Sequence, residues 1–535
     1  MVANFPKINE IPEEFKLKKT YEQYEYLVNG EIVEWKGEVQ EVLSPIFVET
    51  DGKLEQVKMG FYPKLSKEEA LKALEAAEKA YDFGRGLWPT MRVKDRIEAM
   101  YRFVKRMKEK RDEMVNILMW EIGKSVGDSQ KEFDRTIDYI VDTIEELKKM
   151  DRDSSKLRIE QGIYAQIRRS PLGVVLCLGP YNYPLNELFT TVIPALLMGN
   201  AVIYKPAKHG VLLHRPLLEI FKDCFPKGVV NVIYGDGKET AGSIMETGKV
   251  DVLAFIGSSR VARILKNAHP RLNRLRAVLS LEAKNPAIIL PDADIDQAVD
   301  ECVLGSLSYN GQRCTALKII FVHKKIAKEF NEKLVQKIEQ LKIGMPWDKS
   351  VMITPLPEEN KTEYLHSLIE EAVSKGAKVL NKDGGKSSQT LMTPAILFPV
   401  NSSMRVYHEE QFGPVIPVLS FDNINEPLKY LVDGNYGQQC SVFGTDSQEI
   451  AELIDPLVNQ VCRVNINSQC QRGPDVYPFN GRKDSAEGTL SVYDALRVFS
   501  IRSMVATKGL EMNKQIITEI LEERKSHFLS TDFIL

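Results

Sequence analysis

A chain of 535 residues, 43% hydrophobic and 27% charged, is long enough for roughly two to four domains and can bury a large core. A formal net charge of −3 and a pI near 6.3 argue against a general nucleic-acid binder, and no stretch approaches the length of a membrane span. The seven cysteines include no CxxC pair and the seven histidines show no metal-ligand spacing, so neither a disulfide framework nor a metal site is expected. The N-terminal segment lacks the apolar core of a signal peptide, which makes the cytoplasm the expected location.

Residues 1–65 read as irregular, with short strands such as Tyr24–Val28. From Ser66, a suitable cap, apolar residues recur at helical spacing through Ala77, and 92–121 and 129–150 read as amphipathic helices. Segment 155–170 alternates polar and apolar residues and reads as a hairpin. Short apolar runs at 173–178, 201–205, 229–234 and 252–256 then alternate with helical stretches at 185–198, 214–225 and 239–247. That rhythm predicts a parallel sheet in a doubly wound α/β domain, which binds ligands at the carboxyl ends of its strands and at helix N-termini. A second α/β run extends from about 287 to about 500. The 507–535 tail is charged and helical over 511–525, and it ends in an apolar stretch from Phe528 that could pack on a neighbouring subunit or stay disordered.

Within Tyr309-Asn-Gly-Gln-Arg-Cys-Thr-Ala316, Cys314 follows Arg313, and a cysteine beside an arginine can be held as thiolate, the form that attacks carbonyl carbon. An apolar, β-branched run, Leu317–Val322, comes next, so the cysteine is expected at a loop–strand junction. Most cysteines are simply small buried hydrophobes, and Cys314 alone would not establish catalysis.

Six elements, in order, resemble the aldehyde dehydrogenase superfamily over about residues 25–505: Gly179-Pro-Tyr-Asn-Tyr-Pro-Leu-Asn186, Lys205-Pro206, Phe255-Ile-Gly-Ser-Ser259, Gly311-Gln-Arg-Cys314, Glu410-Gln-Phe-Gly-Pro414 and Pro478-Phe-Asn-Gly481. The resemblance implies an α/β fold of two doubly wound, Rossmann-like parallel-sheet domains with a β-hairpin arm. It divides the chain into a cofactor domain (1–151 and 170–284), a catalytic domain (285–489), an oligomerisation arm (152–169 and 490–506) and an extension (507–535). It also implies a homo-oligomer, dimer or tetramer, while the charge and the lack of a spanning stretch leave no nucleic-acid or membrane partner expected.

The same resemblance makes Cys314 the nucleophile, with the Asn182 amide and the Cys314 backbone N–H stabilising the oxyanion. Gly257 and Ser258 open a helix suited to a pyrophosphate, although Ile256 stands where the family has threonine and Ala262 where it has a second glycine. Lys205 is expected at the adenosine ribose, and Glu410 and Phe412 at the nicotinamide ribose. Lys208 occupies the position where many NAD-using relatives carry a glutamate, and a cation there suits the 2′-phosphate of NADP. The Gln471-Arg-Gly-Pro-Asp475 segment is similar to that of non-phosphorylating glyceraldehyde-3-phosphate dehydrogenases, so Arg135, Tyr183, Arg313 and Arg472 are expected to hold a substrate phosphate. Three arginines converging on one pocket call for an anion, because guanidinium cannot shed its proton.

The largest departure concerns the general base. The family's Glu-Leu-Gly-Gly-Lys is here Ser280-Leu-Glu-Ala-Lys284, with Ser280 where the glutamate belongs and Glu282 two residues on. A shift of two along a strand keeps the same face, so Glu282 is either the displaced base or a structural carboxylate. The expected activity is NADP-dependent oxidation of glyceraldehyde 3-phosphate to 3-phosphoglycerate without inorganic phosphate. The alternatives are another aldehyde or semialdehyde dehydrogenase, with either water or coenzyme A as acyl acceptor, and a catalytically silent scaffold.

Overall fold

The computed structural model describes residues 5–533; Met1–Asn4 and Ile534–Leu535, which include part of the N-terminal segment and the last two residues of the apolar end, lie outside the described residues. An eight-stranded sheet has at its centre Arg276–Ser280, Val252–Ile256, Val174–Leu178, Ala201–Lys205 and Val230–Val232, all parallel. Antiparallel strands flank it: Ala486–Glu487 at one edge, Glu25–Val28 and Glu31–Glu34 at the other. Val174–Leu178 is buried along its whole length, as an apolar run covered on both faces must be.

A seven-stranded sheet runs Lys378–Val379, Ala395–Phe398, Val415–Phe421, Leu317–His323, Asn285–Ile289, Gln439–Phe443 and Arg463–Ile466, parallel except for its first strand. Alternate residues of its central strands feed two separate cores. Ile289, Ile320 and Val322 pack on one face and Ile288, Ile319 and Phe321 on the other, following the two-residue period of a strand. Only Leu281–Lys284 separates the last central strand of the first sheet from Asn285–Ile289 of the second.

Residues 1–65 depart from expectation. Val39–Thr50 and Lys53–Pro63 form a long antiparallel ribbon closed at Asp51-Gly52, both with positive φ. Asp-Gly is a strong hairpin signal, but a register shift between Leu43 and Phe47 breaks the alternation that would have exposed the strands. Helix 92–121 is two helices, Val93–Lys108 and Arg111–Ile122, and the helix expected over 129–150 spans Val126–Ser154. Segment 155–170 is a hairpin, Arg158–Glu160 with Ile163–Pro171, and Ser500–Lys508 adds a third strand. The tail folds back onto this sheet in its own chain: after helix Glu511–Glu522, Leu529 is buried and Ser530 O accepts from Gln166 Nε2 at 2.6 Å and Arg168 Nη2 at 2.7 Å.

Candidate active site

The carboxyl edge of the first sheet faces the amino edge of the second across a cavity of about 600 Å³. From the first sheet come the turn Pro180–Tyr183 after Val174–Leu178, Gly257 and Ser258 after Val252–Ile256, and Ser280 to Glu282. The second sheet contributes Arg313 and Cys314, ahead of Leu317–His323, and Glu410 and Phe412, ahead of Val415–Phe421. Arg135 and Arg472 also line the cavity.

The cysteine loop is set by backbone that few residues tolerate. Tyr309, Asn310 and Gly311 all have positive φ, and a Cβ on Gly311 would stand 2.7 Å from Ser306 O and 2.8 Å from Gly413 O. Asn310 holds the turn by exchanging hydrogen bonds with Thr354: its Oδ1 accepts from the backbone N–H at 2.9 Å and its Nδ2 donates to the carbonyl at 3.0 Å. Burial and the charge of Glu187 push the Cys314 thiol up, against the pull of Lys318 and Arg472. Arg313 is not the activating cation expected from its neighbouring position. Its Nη2 turns away to Gly305 O at 2.9 Å and Gln469 Oε1 at 3.2 Å.

Asn182 Nδ2 donates one proton to Gln312 O at 2.8 Å, which leaves its second for the cavity. The Cys314 backbone N–H meets no backbone acceptor among the described residues. Behind Asn182 lies a buried ion pair with no counterpart among the sequence expectations. Lys124 Nζ donates to Asn182 O at 2.6 Å, bonds the Glu132 carboxylate, and stands 3.7 Å from the centre of the Tyr183 ring and 4.4 Å from that of Tyr309. Glu132 Oε1 in turn accepts from the N–H groups of Leu185 and Asn186 at 3.0 and 3.2 Å, capping the helix Asn186–Leu197.

Three arginines do converge, as expected, but the protein supplies anions to two of them. Asp475 takes Arg135 through two hydrogen bonds of 2.7 Å and Arg472 Nε at 3.1 Å. Glu187, buried in the first turn of an otherwise uncharged helix, pairs with Arg472. A lone carboxylate in that apolar run was the sequence signal for it. Arg313 differs: its Nε is buried with no hydrogen-bond partner among the described residues.

The strand carrying Ser280 ends there, so strand alternation does not govern where Glu282 points. The Glu282 carboxylate lines the cavity but turns to the first turn of helix Ser259–Ala268, where Oε2 accepts from Ser259 N at 2.8 Å. That helix end therefore does hold an anion, as a pyrophosphate site requires. Lys205 is half-buried with only Pro206 O near its amine, and burial depresses its pKa to about 8. Lys208 pairs with Glu359 at 2.7 Å. Glu410 Oε1 takes Lys318 Nζ at 2.9 Å and Ala283 N at 3.1 Å, while Phe412, with φ of 46°, packs edge-on to Tyr181. These groups suit a nicotinamide dinucleotide: an anion-holding helix end and a buried amine on one side, a fixed carboxylate and ring on the other.

Comparison with known proteins agrees with the geometry. The profile of the Aldehyde dehydrogenase family matches residues 48–505. The NADP-dependent glyceraldehyde-3-phosphate dehydrogenase of Streptococcus equinus is 32% identical over 501 residues, covering 91% of this chain and 98% of its own. A lactaldehyde dehydrogenase of Methanococcus aeolicus is 28% identical, covering 80% of this chain and 90% of its own. The crystal structure of NADP-dependent glyceraldehyde-3-phosphate dehydrogenase from Bacillus halodurans C-125 complexed with NADP superposes with a TM-score of 0.83 at 30% identity, covering 91% of this chain and 100% of the other. With the cysteine loop, the asparagine turn and the two facing sheets in the same chain, this protein belongs to the aldehyde dehydrogenase family.

Proposed function

We propose that this enzyme oxidises glyceraldehyde 3-phosphate to 3-phosphoglycerate with NADP, by way of a thioester on Cys314 and without inorganic phosphate. The Cys314 thiol releases its proton to solvent and Sγ attacks the aldehyde carbon, and the oxyanion is held by Asn182 Nδ2 and the Cys314 N–H. The bound nicotinamide supplies the acceptor for the aldehyde hydrogen. Glu410, fixed by Lys318, orients the ribose beside that ring, and Lys205 contacts the adenosine ribose. The choice of NADP rests on Lys208, half exposed and able to exchange Glu359 for a phosphate, and on the similarity to NADP-dependent relatives. Seven free cysteines suit a reducing cytoplasm, and the three-stranded sheet suits a homo-oligomer.

The observation that carries the phosphorylated substrate is the unpartnered Nε of Arg313. Three guanidinium groups against Glu187 and Asp475 leave one positive charge in the wall, enough to favour a phosphate without leaving the empty pocket crowded with like charge. Tyr183 adds a hydroxyl to the same wall. Arg313→Gln is expected to raise KM for glyceraldehyde 3-phosphate roughly 10- to 100-fold and to leave a neutral aldehyde within about twofold, as loss of a charge-assisted contact predicts. Equal effects on both substrates would remove the phosphate assignment.

Ser280 at the strand end favours a second reading, transfer of the acyl group to a thiol such as coenzyme A, because a serine hydroxyl is a poor base. Absorbance of NADPH, recorded with glyceraldehyde 3-phosphate and NADP but with neither phosphate nor coenzyme A, separates the two. Sustained turnover supports hydrolysis; a single burst supports the thiol acceptor.

A further inference from the structure

Four glutamates line the cavity, and three of them are held by fixed donors. Glu410 is tied to Ala283 N and Lys318. Glu358 takes the Tyr181 hydroxyl and the Lys361 amine, each at 2.8 Å. Glu282 caps the first turn of helix Ser259–Ala268, receiving both the amide and the hydroxyl of Ser259. Glu187 is different. Its only partner among the described residues is Arg472, a guanidinium it shares with Asp475. Among the described residues no hydrogen bond reaches its second oxygen, Oε1, although the side chain is only 8% exposed.

Position sets Glu187 apart as well. It lies five residues after Asn182, in the first turn of the helix that the Asn182 turn opens into, and Glu132 and Lys124 hold that junction rigid. The oxyanion donor and this carboxylate are thus presented by one strand–turn–helix unit. After burial itself, the charge of Glu187 is the strongest influence on the Cys314 thiol, ahead of Glu410. Glu187 and Cys314 line the same cavity, together with Asn182. Across the cavity, the strand end that carries the family's glutamate carries Ser280.

We propose that Glu187 is the general base that activates water for hydrolysis of the Cys314 thioester, in place of the glutamate that Ser280 replaces. The assignment rests on the hydrolytic reading above. A water beside Oε1 gives a proton to Glu187 as its oxygen bonds to the thioester carbon, and the carbonyl electron pair moves onto the oxygen held by Asn182 and the Cys314 N–H. Re-forming the carbonyl breaks the C–S bond, and the electron pair leaves on sulfur. Glu187 passes its proton to the thiolate, the product acid loses its own to solvent, and the enzyme returns to its starting state.

The test uses the full-length enzyme with glyceraldehyde 3-phosphate and NADP, without phosphate or coenzyme A, in rapid-mixing and steady-state modes. Glu187→Gln is expected to keep a burst of about one NADPH per site while its steady-state rate falls about 100- to 10,000-fold, the usual contribution of a general base. The acyl adduct then accumulates on Cys314 by intact mass, and hydroxylamine, which needs no base, restores turnover. Glu187→Asp, which retains a carboxylate, is expected to turn over faster than Glu187→Gln. If wild type turns over and Glu187→Gln matches it, Glu187 is not the base, while the hydrolytic reading survives. If Glu187→Gln loses the burst together with turnover, Glu187 serves binding through Arg472 and the proposal fails. If wild type itself stops after one burst, the hydrolytic reading fails and the base has no reaction to serve.

Discussion

Cys314 is kept as a thiol by its surroundings. Burial and the Glu187 charge both disfavour the anion, and Lys318 and Arg472 offset them only in part. Alkylation of wild type, with Cys314→Ser as the control, is therefore expected to be slow at neutral pH and to climb only as pH passes the ordinary thiol value. A midpoint below the free-thiol value would contradict this account of the site. Adjacency in sequence pointed to Arg313 as the activating cation, but its guanidinium bonds Gly305 and Gln469 instead. The cations that act on the sulfur are Lys318, four residues on, and Arg472, far along the chain. Sequence neighbours share a backbone path, whereas electrostatics follows distance in space.

Among the elements, the turn Pro180–Tyr183 and the helix after it depend on a buried pair. Lys124 is enclosed by Glu132, Asn182 O and two aromatic rings, so removing the amine leaves the Glu132 carboxylate buried without its cation. Lys124→Met is expected to cost roughly 3–5 kcal/mol of stability, and Lys124→Met/Glu132→Gln to recover much of it. Chemical denaturation of wild type and both variants checks this, and an additive double variant would refute the coupling. Much of the element plan was legible: the buried strands at 174–178, 201–205 and 252–256 and the helix at 186–197 carry their period openly. The 39–63 ribbon was not, because a bulge interrupts its alternation. Glu187 was visible as the single charge of its helix, but its partner Arg472 lies 285 positions away, and no local pattern announces a contact of that range.

At the scale of the molecule, two sheets joined through Leu281–Lys284 bring four of the six separated motifs, those at Pro180–Tyr183, Ile256–Ser258, Arg313-Cys314 and Glu410 with Phe412, around one cavity. Motif order conveyed that convergence; the pairing of Arg135 and Arg472 with carboxylates could come only from the assembled chain. The tail is part of the same assembly, since Leu529 is 5% exposed and Ser530 satisfies Gln166 and Arg168 on the three-stranded sheet. Leu529→Ala is expected to lower stability by roughly 2–4 kcal/mol, read from a thermal melt alongside size-exclusion chromatography. An unchanged melt would mean the tail is not anchored there.

The protonated resting state of Cys314 has a consequence for oxidative stress. Peroxides attack thiolates, and burial pushes up not only Cys314 but all six other thiols: Cys177, Cys224, Cys302, Cys440, Cys462 and Cys470. Between turnovers none of the seven is a readily ionised sulfur, so inactivation by peroxide is expected to be slow at neutral pH.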